Sequence, residues 1–495
     1  MIKQLPDSIG KLKSLCTLDL SSSGFDLNSN RWGLLKDFGK LEKLEELYLG
    51  HRKELVGEIP DEIGYLSSLR VLDLCWTRIS GVPGTIHMLS HLSTLDLTCC
   101  DEITELPELP ASLVHLRVKS CSLQVVPNLS KLTNLVELVL SDGSYYRNSS
   151  NLKHTCDLGW IGRLSKLKKL DLCLPHIAAP PTDLGSLSLL EDLALSGLHL
   201  QPLEQPRPSL LSSELDNFSS AGSPLSNLKN LSNLTLGFSR LQEIQLNGLL
   251  QLQSLHLDKC DLQSLSIPCS LRTLRVRYCP NMIEIKLLSM SSSLEELYIF
   301  HCGSIERIVL CGEVGSLGVL DQSESSSRES TYCAPGVLLP NALKKLKKLH
   351  VEHCEKLLEI QVIGTLLSLQ DFSIERCNAM EKLSGMSNLK NLHRLAIREC
   401  YKLRVVKGLE ELEFLTRLDV EQCPSLETLL DVSNSKIPDE CLIRVIRSRE
   451  SLDSSSAYHI TFKRHKRIAQ QGAPPSETNK VSLNRDFIVT PKSFT

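Results

Sequence analysis

The chain has 495 residues, is 41% hydrophobic but only 4% aromatic, and carries a formal net charge of −3. A core of that composition must be aliphatic, and so balanced a charge leaves no electrostatic footprint for nucleic acid or an anionic membrane. No apolar stretch is long enough for a membrane-spanning helix, and the opening MIKQLPDSIGKLKSLC has neither the apolar segment nor the cleavage site of a secretory signal, so neither a span nor secretion is expected.

The first legible unit is LPDSIGKL (Leu5 to Leu12), followed by the strand-like CTLDL. The same half-unit returns as IPDEIGYL (Ile59 to Leu66) before VLDL and as VPGTIHML (Val82 to Leu89) before TLDL. Proline there has no N–H to give to a ladder, so this half is placed on an outer side made of loops, 3₁₀ turns and short helices. The chain opens in mid-repeat with no polar capping unit, which leads us to expect a piece, or a truncated relative, of a longer protein.

Strand cores are predicted around Leu18, Leu47, Leu72, Leu95, Leu116, Leu138, Leu170, Leu193, Leu234, Leu255, Leu274, Leu297, Leu349, Phe372, Leu395 and Leu418. Long gaps follow Leu138, Leu193 and Leu297, with insertions near 141–157, 197–224 and 303–341. The last two are read as surface loops or degenerate repeats, and the Ser/Glu run from Gln322 to Ser330 as disordered.

From Leu343 to Leu430 the pattern is most regular. Leu349, Phe372, Leu395 and Leu418 lie 23 residues apart, each followed two residues on by Val351, Ile374, Ile397 or Val420. Five residues on comes Cys354, Cys377, Cys400 or Cys423, and Cys100, Cys121, Cys260, Cys279 and Cys302 take the same slot in other units. LxxLxxLxLxxC at this period is the pattern of a leucine-rich repeat. One such unit cannot bury its leucines alone, so the units must stack, with their strands aligned as a parallel sheet. The predicted fold is an α/β solenoid, a leucine-rich-repeat horseshoe with a parallel concave sheet over residues 1–430. Residues 431–467 are predicted to cap it, with a helix over Ile437 to Glu450 that turns Leu442, Val445 and Ile446 inward, and 468–495 to form a disordered tail.

The cysteine slot is expected to be buried where the chain leaves each strand. The pairs His301-Cys302 and His353-Cys354 sit in separate repeats without a tetrahedral set around them, so no metal or other cofactor is predicted. No nucleophile and base can be placed together, so no catalytic residues are assigned.

LPDSIGKLKSLCTLDLSSSG and IPDEIGYLSSLRVLDLCWTRIS resemble the repeats of plant intracellular immune receptors. SLEELYIFHCGSIERI and LHRLAIRECYKLRVVKGLEELEFLTRLDVEQCPSLETL are similar to the C-terminal repeats of the Toll/interleukin-1-receptor-type nucleotide-binding leucine-rich-repeat class of disease-resistance proteins. The resemblance covers about residues 1–450. It implies a non-enzymatic recognition module of plant innate immunity that binds a pathogen effector or a guarded host protein. No GxxxxGK[ST] occurs, so a nucleotide-binding domain would have to act in trans. Without a secretory signal the chain is expected to be cytoplasmic, and the basic run of Lys463, Arg464, Lys466 and Arg467 is read as an address for nuclear entry or as a lipid or RNA contact. Two alternatives stand beside the recognition module: a cytosolic adaptor that scaffolds small GTPases or kinases, and a truncated, nonfunctional receptor fragment.

Any recognition surface falls to residues between and beside the paired leucines, which point away from the core. The first such column opens with an acidic stripe, Asp19, Tyr48, Asp73 and Asp96, and later runs His256, Arg275, Tyr298 and His350. A second column holds Asp258, Arg277, Phe300 and Glu352. Aromatics beside arginine are the composition of protein-binding hot spots, so the candidate patch is His256, Arg275, Arg277, Tyr298, Phe300 and His350.

Overall fold

The computed structural model describes residues 7–21, 36–143, 158–174, 182–197, 225, 227–237, 244, 246, 248–287, 293–311, 337–339, 343–426, 428–431, 435–446, 459–461 and 480–482. The chain divides into two compact units, Met1–Arg240 with Asn247–Leu252, and Leu241–Leu246 with Gln253–Thr495.

Within the first unit the strands Thr17–Asp19, Glu46–Tyr48, Val71–Asp73, Thr94–Thr98, His115–Lys119, Glu137–Ser141, Lys169–Cys173, Asp192–Ser196 and Asn233–Gly237 pair in sequence, all parallel. The second unit does the same with Ser254–Asp258, Thr273–Arg277, Glu296–Phe300, Lys348–Glu352, Asp371–Glu375, Arg394–Arg398, Arg417–Glu421 and Leu442–Ile446. Register is strict. All sixteen predicted core residues are the second residue of a strand, each aligned with the next core residue along its unit. This is the parallel leucine-rich-repeat solenoid. Leu47, Leu95, Leu138, Leu274 and Leu297 have no exposed surface, and Phe372 takes the same slot as one of the two bulkiest fully buried side chains. Each such leucine contributes about 1.5–3 kcal/mol by leaving water.

Four expectations are corrected. The capping helix is absent: Leu442–Ile446 is a strand that pairs with Arg417–Glu421, so the array extends to Ile446. Cys441 and Ile443 alternate inward there, and a β-branched run suits a pleated surface more than a helix. The outer side carries the expected 3₁₀ turns, the described helices being all 3₁₀, and departs from expectation in the second unit. In the first unit these are Asp7–Lys11, Lys36–Lys40, Asp61–Tyr65, Gly84–Met88, Ile161–Arg163 and Thr182–Ser186. Extended prolines, Pro60 and Pro83, lead into two of them. Gly64 lets successive turns approach closely: a Cβ there would stand 2.7 Å from the Thr85 carbonyl oxygen. In the second unit the outer side is instead a second parallel sheet that includes Glu284–Leu287, Arg307–Cys311 and Glu359–Ile363. Its IEIKL, RIVLC and EIQVI lack the proline and glycine of the first unit's half-repeats; IEIKL and EIQVI alternate aliphatic with polar residues, and RIVLC runs aliphatic from Ile308 to Leu310.

The third correction concerns degenerate repeats. Asp192–Ser196 pairs directly with Asn233–Gly237, and Glu296–Phe300 directly with Lys348–Glu352, so neither insertion adds a strand to the inner wall. The third insertion instead returns Val337–Leu339 to the outer sheet, between Glu284–Leu287 and Arg307–Cys311. Fourth, the tail contains a strand, Lys480–Ser482, antiparallel to Thr428–Asp431. Most of the three insertions, the Gln322–Ser330 run and the basic residues Lys463, Arg464, Lys466 and Arg467 lie outside the described residues.

Candidate functional site

Alternation along each wall strand fixes what the inner face can display. In Thr273–Arg277, Leu274 and Val276 are buried while Arg275 and Arg277 are exposed. In Glu296–Phe300, Leu297 and Ile299 point inward while Tyr298 and Phe300 face out, half-buried by their neighbours. The parallel register then sets His256 beside Arg275, Arg275 beside Tyr298 and Tyr298 beside His350, with Arg277 beside Phe300 in the next column. All six candidate residues thus lie on four consecutive strands of the second unit.

They touch. The Arg275 guanidinium carbon sits 4.8 Å from the Tyr298 ring centroid, and that of Arg277 sits 5.8 Å from the Phe300 ring. Tyr298 and Phe300 stack at 6.1 Å, and Phe300 meets His350 at 5.0 Å. Cation–π contacts of this kind contribute about 0.5–1 kcal/mol at exposed sites and hold the guanidinium in place. Tyr298 donates its hydroxyl to Glu296 at 3.2 Å, and Glu296 also takes Lys348 at 2.9 Å. Burial, and then the neighbouring Arg275 charge, hold the His256 imidazole below its ordinary range. It therefore pairs with the Ser254 hydroxyl, 3.2 Å from Nε2, as a neutral ring at neutral pH.

A third column was missed. It holds the residue directly before each slot cysteine of the second unit: Lys259, Tyr278, His301, His353, Arg376, Glu399 and Gln422, all with φ between 51° and 54°. This left-handed conformation costs a residue other than glycine about 1–2 kcal/mol. What it gains is continuity. Each of these N–H groups donates to a carbonyl on the next strand, as from Tyr278 to Phe300 at 2.9 Å and from His301 to Glu352 at 2.9 Å. The side chains stack outward. Tyr278 lies 4.4 Å from His301, His301 lies 4.2 Å from His353, and Arg376 approaches the His353 Nε2 at 3.3 Å. The signal was in plain view, since two of these residues are the histidines of the His-Cys pairs.

The left-handed turn sends each histidine outward while its cysteine turns in. Eight of the nine slot cysteines are buried and Cys121 is half-buried. Their thiols cap the strand ends, as where Cys279 donates to the Arg277 carbonyl at 3.3 Å and Cys400 to the Arg398 carbonyl at 3.4 Å. Among the described residues no three His, Cys, Asp or Glu side chains gather as a metal site requires. In the first unit the predicted acidic stripe is assembled in register, but its carboxylates are engaged. Asp19 accepts the Ser21 N–H, Asp73 that of Cys75 and Asp96 that of Thr98, each at 2.9 Å.

Comparison with known proteins agrees with this repeat. Residues 25–151 match a model described as a leucine-rich repeat region, and residues 217–320 and 331–443 match the BspA type leucine rich repeat region in 6 copies. This is a leucine-rich-repeat protein. Its relatives include plant disease-resistance proteins. TMV resistance protein N of Nicotiana glutinosa is 34% identical over 137 residues, 24% of this chain and 12% of that protein. Disease resistance protein RPS4B of Arabidopsis thaliana is 28% identical over 168 residues, 31% of this chain and 14% of that protein. The leucine-rich-repeat protein thus aligns with only a small part of the length of either relative. Among solved structures, the ectodomain of GASSHO1/SCHENGEN3 from Arabidopsis thaliana aligns with 90% of this chain and 62% of that one, at 18% identity and a TM-score of 0.41. Among the described residues no helix is long and apolar enough to cross a membrane.

Proposed function

We propose that this leucine-rich-repeat protein is a recognition module of plant defence that does no chemistry of its own. It binds a pathogen effector, or a host protein that such an effector alters, through the inner wall of its second unit. The observation that carries the reading is the pair of registered rows, Arg275–Tyr298–His350 and Arg277–Phe300, in which exposed guanidiniums rest on aromatic faces. Aromatic and arginine side chains held in place before contact lose little freedom on binding, which is why they dominate interface energies. Tyr278, His301 and His353 widen the patch. The resistance-protein relatives support the setting, and on that reading the chain works in the cytoplasm, with nuclear entry through its basic run and with a nucleotide-binding domain in trans as a second partner.

The test compares wild type with the Arg275→Glu, Tyr298→Ala double variant, both immobilised and exposed to extracts of pathogen-challenged plant tissue. Neither side chain supports the core, so the thermal midpoint should hold while the specific partner is lost. If the variant retains the same proteins as wild type, the patch is not the recognition surface.

A further inference from the structure

On the inner wall of the second unit the rings stop at His350 but the guanidiniums continue. Between His350 and Asp419 the first column carries only Ser373 and Ala396, each in register with its neighbours. At about 4.8 Å per strand the two small residues occupy a gap of roughly 14 Å. A hollow of about 290 Å³ lies there, and its walls include His350, Ser373, Ala396, Arg394, Arg398 and Arg417. Ser373 and Ala396 are half-buried, so both present surface to whatever enters.

Every lysine and arginine on these walls already has a carboxylate. Lys348 pairs with Glu296 at 2.9 Å, Arg394 with Asp371 at 3.7 Å, Arg398 with Glu375 at 2.6 Å and Arg417 with Asp419 at 2.7 Å. Arg398 is engaged at its other two nitrogens as well, with Nη2 3.8 Å from Asp419 and Nε 3.6 Å from Glu421. Carboxylates thus surround the rim of that guanidinium, and what it has left for an incoming group is its flat face. In the preceding strands such a guanidinium is matched with a ring of this chain, Arg275 with Tyr298 and Arg277 with Phe300. Among the described residues Arg394, Arg398 and Arg417 lie over no ring.

We infer that this hollow receives an aromatic side chain, phenylalanine or tyrosine, presented by the partner protein. The ring lies over Ala396 and sets its π face against the Arg398 guanidinium, so the partner supplies the ring that the wall itself lacks. The electron-rich face of a ring complements a cation without adding a charge. Ions fit worse, because the charges here are already paired. A glutamate would be set against the carboxylates of Asp371 and Glu375, and a lysine against three guanidiniums. An aliphatic side chain fills the volume but has no negative face to offer a guanidinium. The inference rests on the reading of the second unit's inner wall as the recognition surface, but its test needs no partner.

The full chain, labelled with carbon-13 at alanine methyls, is titrated with N-acetyl-phenylalanine methylamide, and in parallel with the cyclohexylalanine, glutamate and lysine analogues. The Ala396 methyl should move upfield, as a methyl beneath a ring face does, and saturate with the phenylalanine compound. Its affinity should be about fivefold above that of the cyclohexylalanine compound, which has nearly the same size and shape but no π face, the ratio set by one cation–π contact at a partly exposed site. The two charged compounds should bind more weakly than the phenylalanine compound. Ser373→Leu, which fills the hollow from an outward-facing position, should abolish the shift at an unchanged thermal midpoint. Equal affinities for the ring and its saturated analogue, tighter binding of either charged compound, no response up to the solubility limit, or a shift that survives Ser373→Leu would each overturn the inference. Loss of the partner in the Arg275→Glu, Tyr298→Ala variant would still stand in that event, so the two failures are distinguishable.

Discussion

Glu137 shows how a wall of this kind tolerates an ion on its face. Its carboxylate is almost wholly covered, yet it lies 2.8 Å from Arg117, 2.9 Å from Lys169 and 3.3 Å from the His115 ring. Burial alone would raise its pKa. The hydrogen bonds from Arg117 and Lys169, with their charges, outweigh burial and bring it to about 2 from an ordinary 4.5. The sign follows from linkage. The folded state holds the carboxylate ionised, so this stability is complete above the unfolded pKa and is lost as pH falls from about 4.5 through about 2. A shift of that size corresponds to at most about 3 kcal/mol. Denaturation of the wild type at stepped pH should show this acid loss, and Glu137→Gln should start less stable at neutral pH and lose less on acidification. Parallel pH profiles for the two proteins would show that the cluster contributes nothing.

At the scale of the strand and its exit turn, the left-handed column is the unexpected element. Gln422 has φ 54°, donates its N–H to the Ile446 carbonyl at 2.7 Å, and uses no side-chain hydrogen bond among the described residues. Gln422→Gly should therefore be neutral or stabilise by up to about 1 kcal/mol, because glycine adopts this conformation freely although its unfolded chain is looser. Gln422→Val should cost at least about 1 kcal/mol, since a β-branched side chain is worst there. Chemical denaturation at constant slope checks the ranking, and equal midpoints would contradict a left-handed turn at this position. This element also marks where sequence reading stopped. The paired leucines were legible because each is buried every time, so the period is written in one residue type. The residue before the cysteine varies from lysine to tyrosine to glutamate, because its backbone alone is constrained, and composition carries no trace of φ. Leu442, Val445 and Ile446 fit helical spacing while Cys441 and Ile443 fit a strand, and only the neighbouring Arg417–Glu421 edge, absent from local sequence, decides for the strand. The second unit's outer sheet was missed for a related reason. Its short aliphatic runs pair with each other across a whole repeat, and the first unit's Pro-Gly half-repeats were extrapolated onto them.

Over the whole molecule, a repeat array separates what folds the protein from what it displays. Each turn is held by its neighbours through the buried leucines, so the outward columns are free to vary turn by turn. That freedom explains why the first unit's column is occupied by carboxylates that serve their own backbone, while the second unit's column carries rings and guanidiniums. The candidate patch is legible in the sequence because strand alternation alone decides which residues face out. The same separation makes recognition testable without disturbing the fold. The most direct measurement is hydroxyl-radical footprinting of the full chain with and without the captured partner. Tyr278, Tyr298 and Phe300 should lose reactivity in the complex while the exposed Tyr65, of the first unit, and Phe414, outside the second unit's wall strands, keep theirs. Protection of Tyr65 or Phe414 with Tyr298 and Phe300 unchanged would contradict recognition through that wall.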